Sequence, residues 1–273
     1  MKGFVQRLIT AIVFVAVMLG GLFGGLTSFL LLFGIIGALS LWEFSGIVLK
    51  DGKHTGLRLF GIFFGLFPYF LLAMGRLGLD IPLWVYSLFI GGVFLVFIYE
   101  LLRQTAHPFH LTGYLFAGAV YIGGSLTLLL TDAFFTLEGY SPYLIFSMLL
   151  LVWSSDTGAY LVGSLIGKTP LAPKISPKKT WEGTVGGWVF SMLVSIALFY
   201  IFKEDFLELW QFMALALICG VFGTLGDLVE SKFKRSYDIK DSGNLLPGHG
   251  GMLDRFDAFF LVVPYVYIFL SLV

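Results

Sequence analysis

Residues 5–48 read VQRLITAIVFVAVMLGGLFGGLTSFLLLFGIIGALSLWEFSGIV, two apolar runs separated only by the glycines between Gly20 and Gly25. A helix needs about 20 apolar residues to cross a hydrocarbon core ~30 Å thick. The stretch therefore predicts two membrane-spanning helices over 5–21 and 24–48, joined by a Gly-rich turn. Runs of comparable length follow at 58–75, 82–102, 112–131, 142–165, 183–202, 207–233 and 254–273. Together they predict an all-α polytopic membrane protein of about nine transmembrane helices. Pro68 and Pro264 fall inside two of these runs, where a membrane helix accommodates a kink.

Composition agrees. Of the 273 residues, 58% are hydrophobic and 12% charged, about half the charged share of a soluble domain. Thirty Phe and 34 Gly suit lipid-facing bulk and close helix contacts. Net charge is zero, which argues against nucleic acid as a partner. Cys219, the single cysteine, lies in an apolar run and reads as a buried, inert thiol. The opening with Lys2 and Arg7 is like that of a signal peptide. No small-residue cleavage site precedes a polar chain, so the first helix reads as retained.

Cytoplasmic loops carry the excess of Lys and Arg. With the N-terminus in the cytoplasm and nine crossings, all 17 Lys and Arg except Arg76 and Lys203 fall inside. That places the C-terminus on the opposite side. With no repeat and no low-complexity linker, residues 1–273 read as one transmembrane domain. Residues 1–140 serve mainly as scaffold, and 141–273 carry the chemistry.

The chemistry concentrates in two segments. On a helix, Asp227, Glu230, Ser231 and Lys234 share one polar stripe, followed by Arg235. A loop then carries Lys240, Asp241 and Pro247-Gly248-His249-Gly250-Gly251, and the next helix opens with Asp254, Arg255 and Asp257. A carboxylate costs ~2.5–3.5 kcal/mol at the centre of a membrane helix, so several near one face need an electrostatic partner. Hard divalent cations held by Asp oxygens and substrate phosphates are one answer. Intramembrane salt bridges, Asp227 with Lys234 or Arg235 and Asp254 with Arg255, are another. His249 could serve as acid/base, phosphate donor or loop hydrogen-bonder.

In the second segment Asp156, Tyr160, Gly163 and Gly167 lie on one helical face, with Asp156 expected to be buried. Lys168 follows, then Ser176, Lys178, Lys179, Thr180 and Glu182 leading into a helix. Lysines and hydroxyls at a helix N-terminus suit a triphosphate or a lipid phosphate. The lysines could instead enforce topology or meet anionic headgroups.

The 27 residues from Ser231 to Asp257, with Lys234-Arg235, Lys240-Asp241, Gly243, Pro247-Gly248-His249-Gly250-Gly251 and Asp254-Arg255-Phe256-Asp257, resemble the signature of the phosphatidate cytidylyltransferases, or CDP-diacylglycerol synthases. The Ser176–Gly183 run is similar to the family as well. The resemblance implies that the phosphate of phosphatidic acid attacks the α-phosphorus of CTP, releasing pyrophosphate, with Mg²⁺ required and a second cation such as K⁺ beside it. Carried over by position, Asp227 and Asp254 would ligate metal, with Asp257 and Asp241 in support. Lys234, Arg235 and His249 are the remaining catalytic candidates. Lys168, Ser176, Lys178, Lys179, Thr180, Glu182, Ser231, Lys240, Asp241, Gly250, Gly251, Arg255 and Asp156 are the substrate-binding ones. The implied partners are CTP and phosphatidic acid, and a Gly-rich helix surface permits a homodimer. The implied location is the bacterial inner (cytoplasmic) membrane, with the active site facing the cytoplasm. The competing readings are another membrane lipid-phosphate transferase and an ion-coupled transporter. A CDP-alcohol phosphotransferase pattern is absent from the sequence, and a transporter should show paired features in two halves.

Overall fold

A computed structural model describes residues 2–49, 55–102, 109–136, 138–202, 207–248 and 250–273, with the side chains of residues 2–4 left undescribed. Nine long helices are present among these residues: α1 (Lys2–Phe23), α2 (Leu26–Val48), α3 (Thr55–Arg76), α4 (Leu83–Leu102), α5 (His110–Leu128), α6 (Tyr143–Ile166), α7 (Trp181–Phe202), α8 (Leu209–Ser236) and α9 (Leu253–Leu270). The first eight are long and apolar enough to cross a membrane. The ninth opens with the charges of Asp254, Arg255 and Asp257 and is apolar beyond them. Leu31, Phe63, Phe94, Leu101 and Leu193 are among many large apolar side chains left on the outside. A bilayer resolves that exposure, because lipid rather than water is the solvent there.

Two separate helices follow from the opening stretch as expected. The chain breaks at Gly25, whose φ of 100° is a left-handed conformation that glycine adopts without penalty. α1 and α4 lie at the periphery. Phe29, Phe33, Phe256, Phe259 and Phe260 lie in the centre, where α2 meets α9.

The proline in α9 has a specific compensation. Pro264 has no N–H to donate to the carbonyl of Phe260, four residues earlier. Ser125 Oγ donates to that carbonyl at 2.6 Å. Tyr121 Oη donates to the Asp257 carbonyl on the same helix, also at 2.6 Å. Both donors sit in or beside the π-helical segment Ala119–Gly124 within α5. Wider turns of this kind recur at functional sites.

The expected all-α architecture gains one element. Between α6 and α7 a short antiparallel hairpin pairs β1 (Pro170–Ala172) with β2 (Ser176–Thr180). α6 and α7 pack tightly above it, because Gly183 of α7 lies against Gly163 of α6. A Cβ built at Gly183 would meet the Gly163 Cα at 2.9 Å, closer than any side chain tolerates. The N-terminal end of α1, the C-terminal ends of α2, α6 and α8, and the starts of α7 and α9 all gather at one end of the bundle. The opposite end carries Arg76, which pairs with Asp132 at 2.8 Å and lies over the Phe135 ring.

Candidate active site

The polar stripe on α8 forms as its spacing requires. Ser231 Oγ donates to Asp227 Oδ1 at 3.1 Å, and Lys234 Nζ reaches Glu230 Oε2 at 2.5 Å. Lys234 also donates to Asp254 Oδ1 of α9 at 2.7 Å. It thereby joins two carboxylates from adjacent helices. Asp227 pairs with Lys179, delivered from the hairpin. The salt bridges expected from the sequence, Asp227 with Lys234 or Arg235 and Asp254 with Arg255, are therefore not the ones formed. Arg235 turns to the Ile239 carbonyl at 3.2 Å, and Arg255 is exposed.

Asp254 is a focus of donors. Besides Lys234, it accepts the Ser242 N–H at 3.1 and 3.0 Å on its two oxygens and the Gly251 N–H at 2.7 Å. Gly250 takes φ 86° immediately before, with its Cα directed at Asp254. Only glycine fits such a turn against a carboxylate. Charge-assisted bonds of this type are among the stronger hydrogen bonds in proteins.

Three cavities surround these groups. One of about 440 Å³ lies between α6, α7 and α8 and is lined by Asp156, Tyr160, Lys178, Lys179, Thr180 and Asp227. A second, of about 270 Å³, lies between α1, α6 and α9, with Thr10, Phe14, Val15 and Trp153 on its walls and Asp156, Asp254, Arg255 and Asp257 at its polar end. Asp156 lines both. It lies deep among the helices, as its apolar surroundings predicted, with its side chain open to these two cavities. A third cavity, of about 580 Å³, lies on the far side of the α8–α9 loop and is lined by Glu43, Arg58, Tyr237, Asp241, Ser242 and Asn244. Burial and neighbouring Tyr114 hold the Tyr237 phenol above its ordinary pKa.

The structure thus brings together Asp156, Lys178, Lys179, Thr180, Asp227, Asp254, Arg255 and Asp257 on the walls of the first two cavities, with Ser231 bonded to Asp227, Lys234 to Asp254, and Gly250 and Gly251 against Asp254. Asp241 faces the third cavity. Lys168, Ser176, Arg235 and Lys240 line none of the three. Glu182 does not point into a cavity; its carboxylate accepts the N–H groups of Lys168 and Thr169 and the Thr169 hydroxyl, the last at 2.7 Å. It fastens the base of the hairpin to the start of α7. Thr180 Oγ1 accepts the Gly183 N–H at 3.2 Å, satisfying one of the free donors at the helix start. His249 lies outside the described residues.

Sequence reasoning missed Glu43. It projects from α2 and is buried, yet it bonds Ser242, Met252 and Leu253 around the start of α9. The available signal was its type: an ionisable residue within an apolar span is a functional candidate by default.

Comparison with known proteins decides what this arrangement belongs to. The profile of the Cytidylyltransferase family matches residues 5–273. The chain belongs to the Cytidylyltransferase family. It is accordingly a nucleotidyltransferase enzyme and an integral membrane protein. A phosphatidate cytidylyltransferase of Bacillus subtilis (strain 168) is 41% identical over 181 residues, 66% of each chain. One of Staphylococcus aureus (strain COL) is 41% identical over 177 residues, covering 65% of this chain and 66% of the relative. One of Staphylococcus saprophyticus is 38% identical over 273 residues, 96% of each chain. These matches agree with the resemblance carried by the signature. Among the described residues of this cytidylyltransferase, no three His, Cys, Asp or Glu side chains converge to cage an ion by themselves.

Proposed function

We propose that this cytidylyltransferase joins CTP to phosphatidic acid, giving CDP-diacylglycerol and pyrophosphate at the cytoplasmic face of a bacterial inner membrane. One observation carries the reading beyond family membership: Asp156 lines both a cavity with Lys178, Lys179 and Asp227 and a second one that has Asp254, Arg255 and Asp257 at one end and Phe14, Val15 and Trp153 on its walls. A reaction between a soluble triphosphate and a lipid headgroup needs such adjoining spaces, each with charged groups for phosphates beside apolar walls. The charge asymmetry supports a cytoplasmic position for this end of the bundle, where CTP is present.

The donor chemistry fits Mg²⁺. All candidate ligands are carboxylate oxygens, and Glu230 Oε1 is buried without a hydrogen-bond partner beside them. Mg²⁺ keeps several positions for water and substrate phosphate, so one or two protein carboxylates suffice. One or two of Asp227, Asp254 and Asp257 would hold it, and when bound it would neutralise charge on the transferring phosphoryl group. A second cation such as K⁺ belongs to the same proposal.

The chain's own residues orient and screen. Lys179 and Lys178 offer ammonium groups to phosphate oxygens in the first cavity, and Arg255 offers a guanidinium in the second. A lipid phosphate oxygen forms a bond to the α-phosphorus of CTP as the bond to pyrophosphate breaks, and pyrophosphate leaves with the electron pair. The attacking phosphate is already an oxyanion, so positioning and charge neutralisation can supply most of the acceleration. No general base is required, in keeping with a site built of carboxylates and lysines.

The test is pyrophosphate release by purified protein in detergent. Turnover that requires CTP, phosphatidic acid and Mg²⁺ together is the expected result. Folded protein that releases no pyrophosphate across several lipid chain lengths and cations would overturn the reading.

A further inference from the structure

Glu43 is 8% exposed and sits on α2, in the half of the chain that otherwise reads as scaffold. Its Oε1 accepts the Met252 N–H at 3.0 Å, and its Oε2 accepts the Leu253 N–H at 2.8 Å and the Ser242 hydroxyl at 3.0 Å. Met252 and Leu253 are the N-cap and first residue of α9, where backbone N–H groups have no partner within their own helix. The cap of α9 is thus supplied by another helix. A carboxylate there also complements the positive end of the helix dipole.

The same loop is fastened from its other side. Ser242 gives its hydroxyl to Glu43 and its N–H to Asp254, while Gly251 gives its N–H to Asp254. The chain Glu43–Ser242–Asp254 therefore runs from α2 to the carboxylate that also holds Lys234. Gly243 packs so closely that a Cβ there would meet Glu43 Oε1 at 2.6 Å, and a Cβ at Gly251 would collide with Oε2. Among the described residues no Lys or Arg forms an ion pair with Glu43. Arg58 lines the same cavity and attracts Glu43 without forming an ion pair, so the direct partners of the carboxylate are loop and helix-start donors, the pattern of a clamp.

We infer that Glu43 is a positioning residue for the cytidylyl transfer: it sets the α8–α9 loop and the start of α9, and through Ser242 it sets the rotamer of Asp254. The inference rests on the function proposed above for its kinetic part only. Its geometric part concerns the loop itself.

The experiment compares wild-type protein with Glu43→Gln and Ser242→Ala in detergent, by steady-state kinetics and by amide hydrogen exchange. Gln keeps the volume but turns an N–H₂ toward backbone donors. For Glu43→Gln, kcat should fall about 10–100-fold while KM for CTP changes by less than about threefold, because misplacement of a reacting constellation costs rate. Exchange should quicken at Ser242 and at residues 251–253, with the hairpin at 170–180 unchanged. Ser242→Ala should give a smaller loss of the same kind, and the double variant should be no worse than Glu43→Gln by more than about twofold, since both act on one chain. Wild-type protein without turnover would remove the reaction, while faster loop exchange in Glu43→Gln would still support the clamp. Active wild-type protein with unchanged kcat and loop exchange in Glu43→Gln would overturn the inference. If Glu43→Gln does not fold, Ser242→Ala decides: unchanged kcat and unchanged exchange there would overturn it equally.

Discussion

The hairpin between α6 and α7 and the loop between α8 and α9 are both secured by a glutamate that gathers backbone N–H groups, but the two glutamates come from different distances. Glu182 holds Lys168 and Thr169 across a single hairpin, 14 and 13 residues back, and it does so at a solvent-reached edge. Glu43 holds Met252 and Leu253 from the other half of the chain, in a buried setting. A local clamp at the surface competes with water and holds one arm. A remote, largely buried clamp ties separate helices together, so its loss leaves helix-start donors without their protein partner. The difference suggests a division of labour, with the hairpin as an arm bearing Lys178 and Lys179 and the α8–α9 loop as the rigid side holding Asp254.

Substitutions test that contrast. Asp254→Asn removes the charge on which Lys234, Ser242 and Gly251 converge, and turnover should fall about 10³-fold or more in the pyrophosphate assay. Retained activity would mean that the rigid side is not the reacting side. Lys179→Gln, on the arm, should raise KM for CTP by about tenfold and lower kcat less, as expected for loss of a phosphate contact; kinetics at saturating lipid measures this. Glu182→Gln should loosen the hairpin and change kcat/KM by about threefold at most, because an exposed clamp contributes little. A loss as large as that from Glu43→Gln would abolish the contrast. The smallest effect concerns the frame alone: Ser125→Ala leaves the Phe260 carbonyl without its substitute donor beside Pro264. Stability should drop by about 1–3 kcal/mol, read as a lower melting temperature in detergent, with kcat unchanged.

Much of this was legible from the chain itself. Helix lengths followed from apolar run length, and the breaks at Gly25 and ahead of Trp181 fell close to where composition changed. The α8 stripe was legible because helical spacing alone places Asp227 beside Ser231 and Glu230 beside Lys234. The hairpin was not. Residues 170–180 are few, polar and rich in lysine, and their pairing depends on Glu182 and on the closeness of α6 to α7. The partners of the charges were not legible either, since an Asp on a helix can pair with any lysine that packing brings near.

The apolar runs and the helical spacing of the α8 charges were readable in the sequence as a polytopic membrane protein with a polar stripe, and the likeness of Ser231–Asp257 to a known signature pointed to the cytidylyltransferases. Those properties are local or additive: hydropathy sums over about twenty neighbours, and side-chain phase on a helix follows from 3.6 residues per turn. Tertiary structure alone decided that Lys179 faces Asp227, that Asp156 stands between two cavities, that Ser125 substitutes for the missing donor at Pro264, and that Glu43 caps α9. Each of these depends on which helix lies against which, and that is set by side-chain packing between segments as much as about 200 residues apart, where spacing along the chain carries no information.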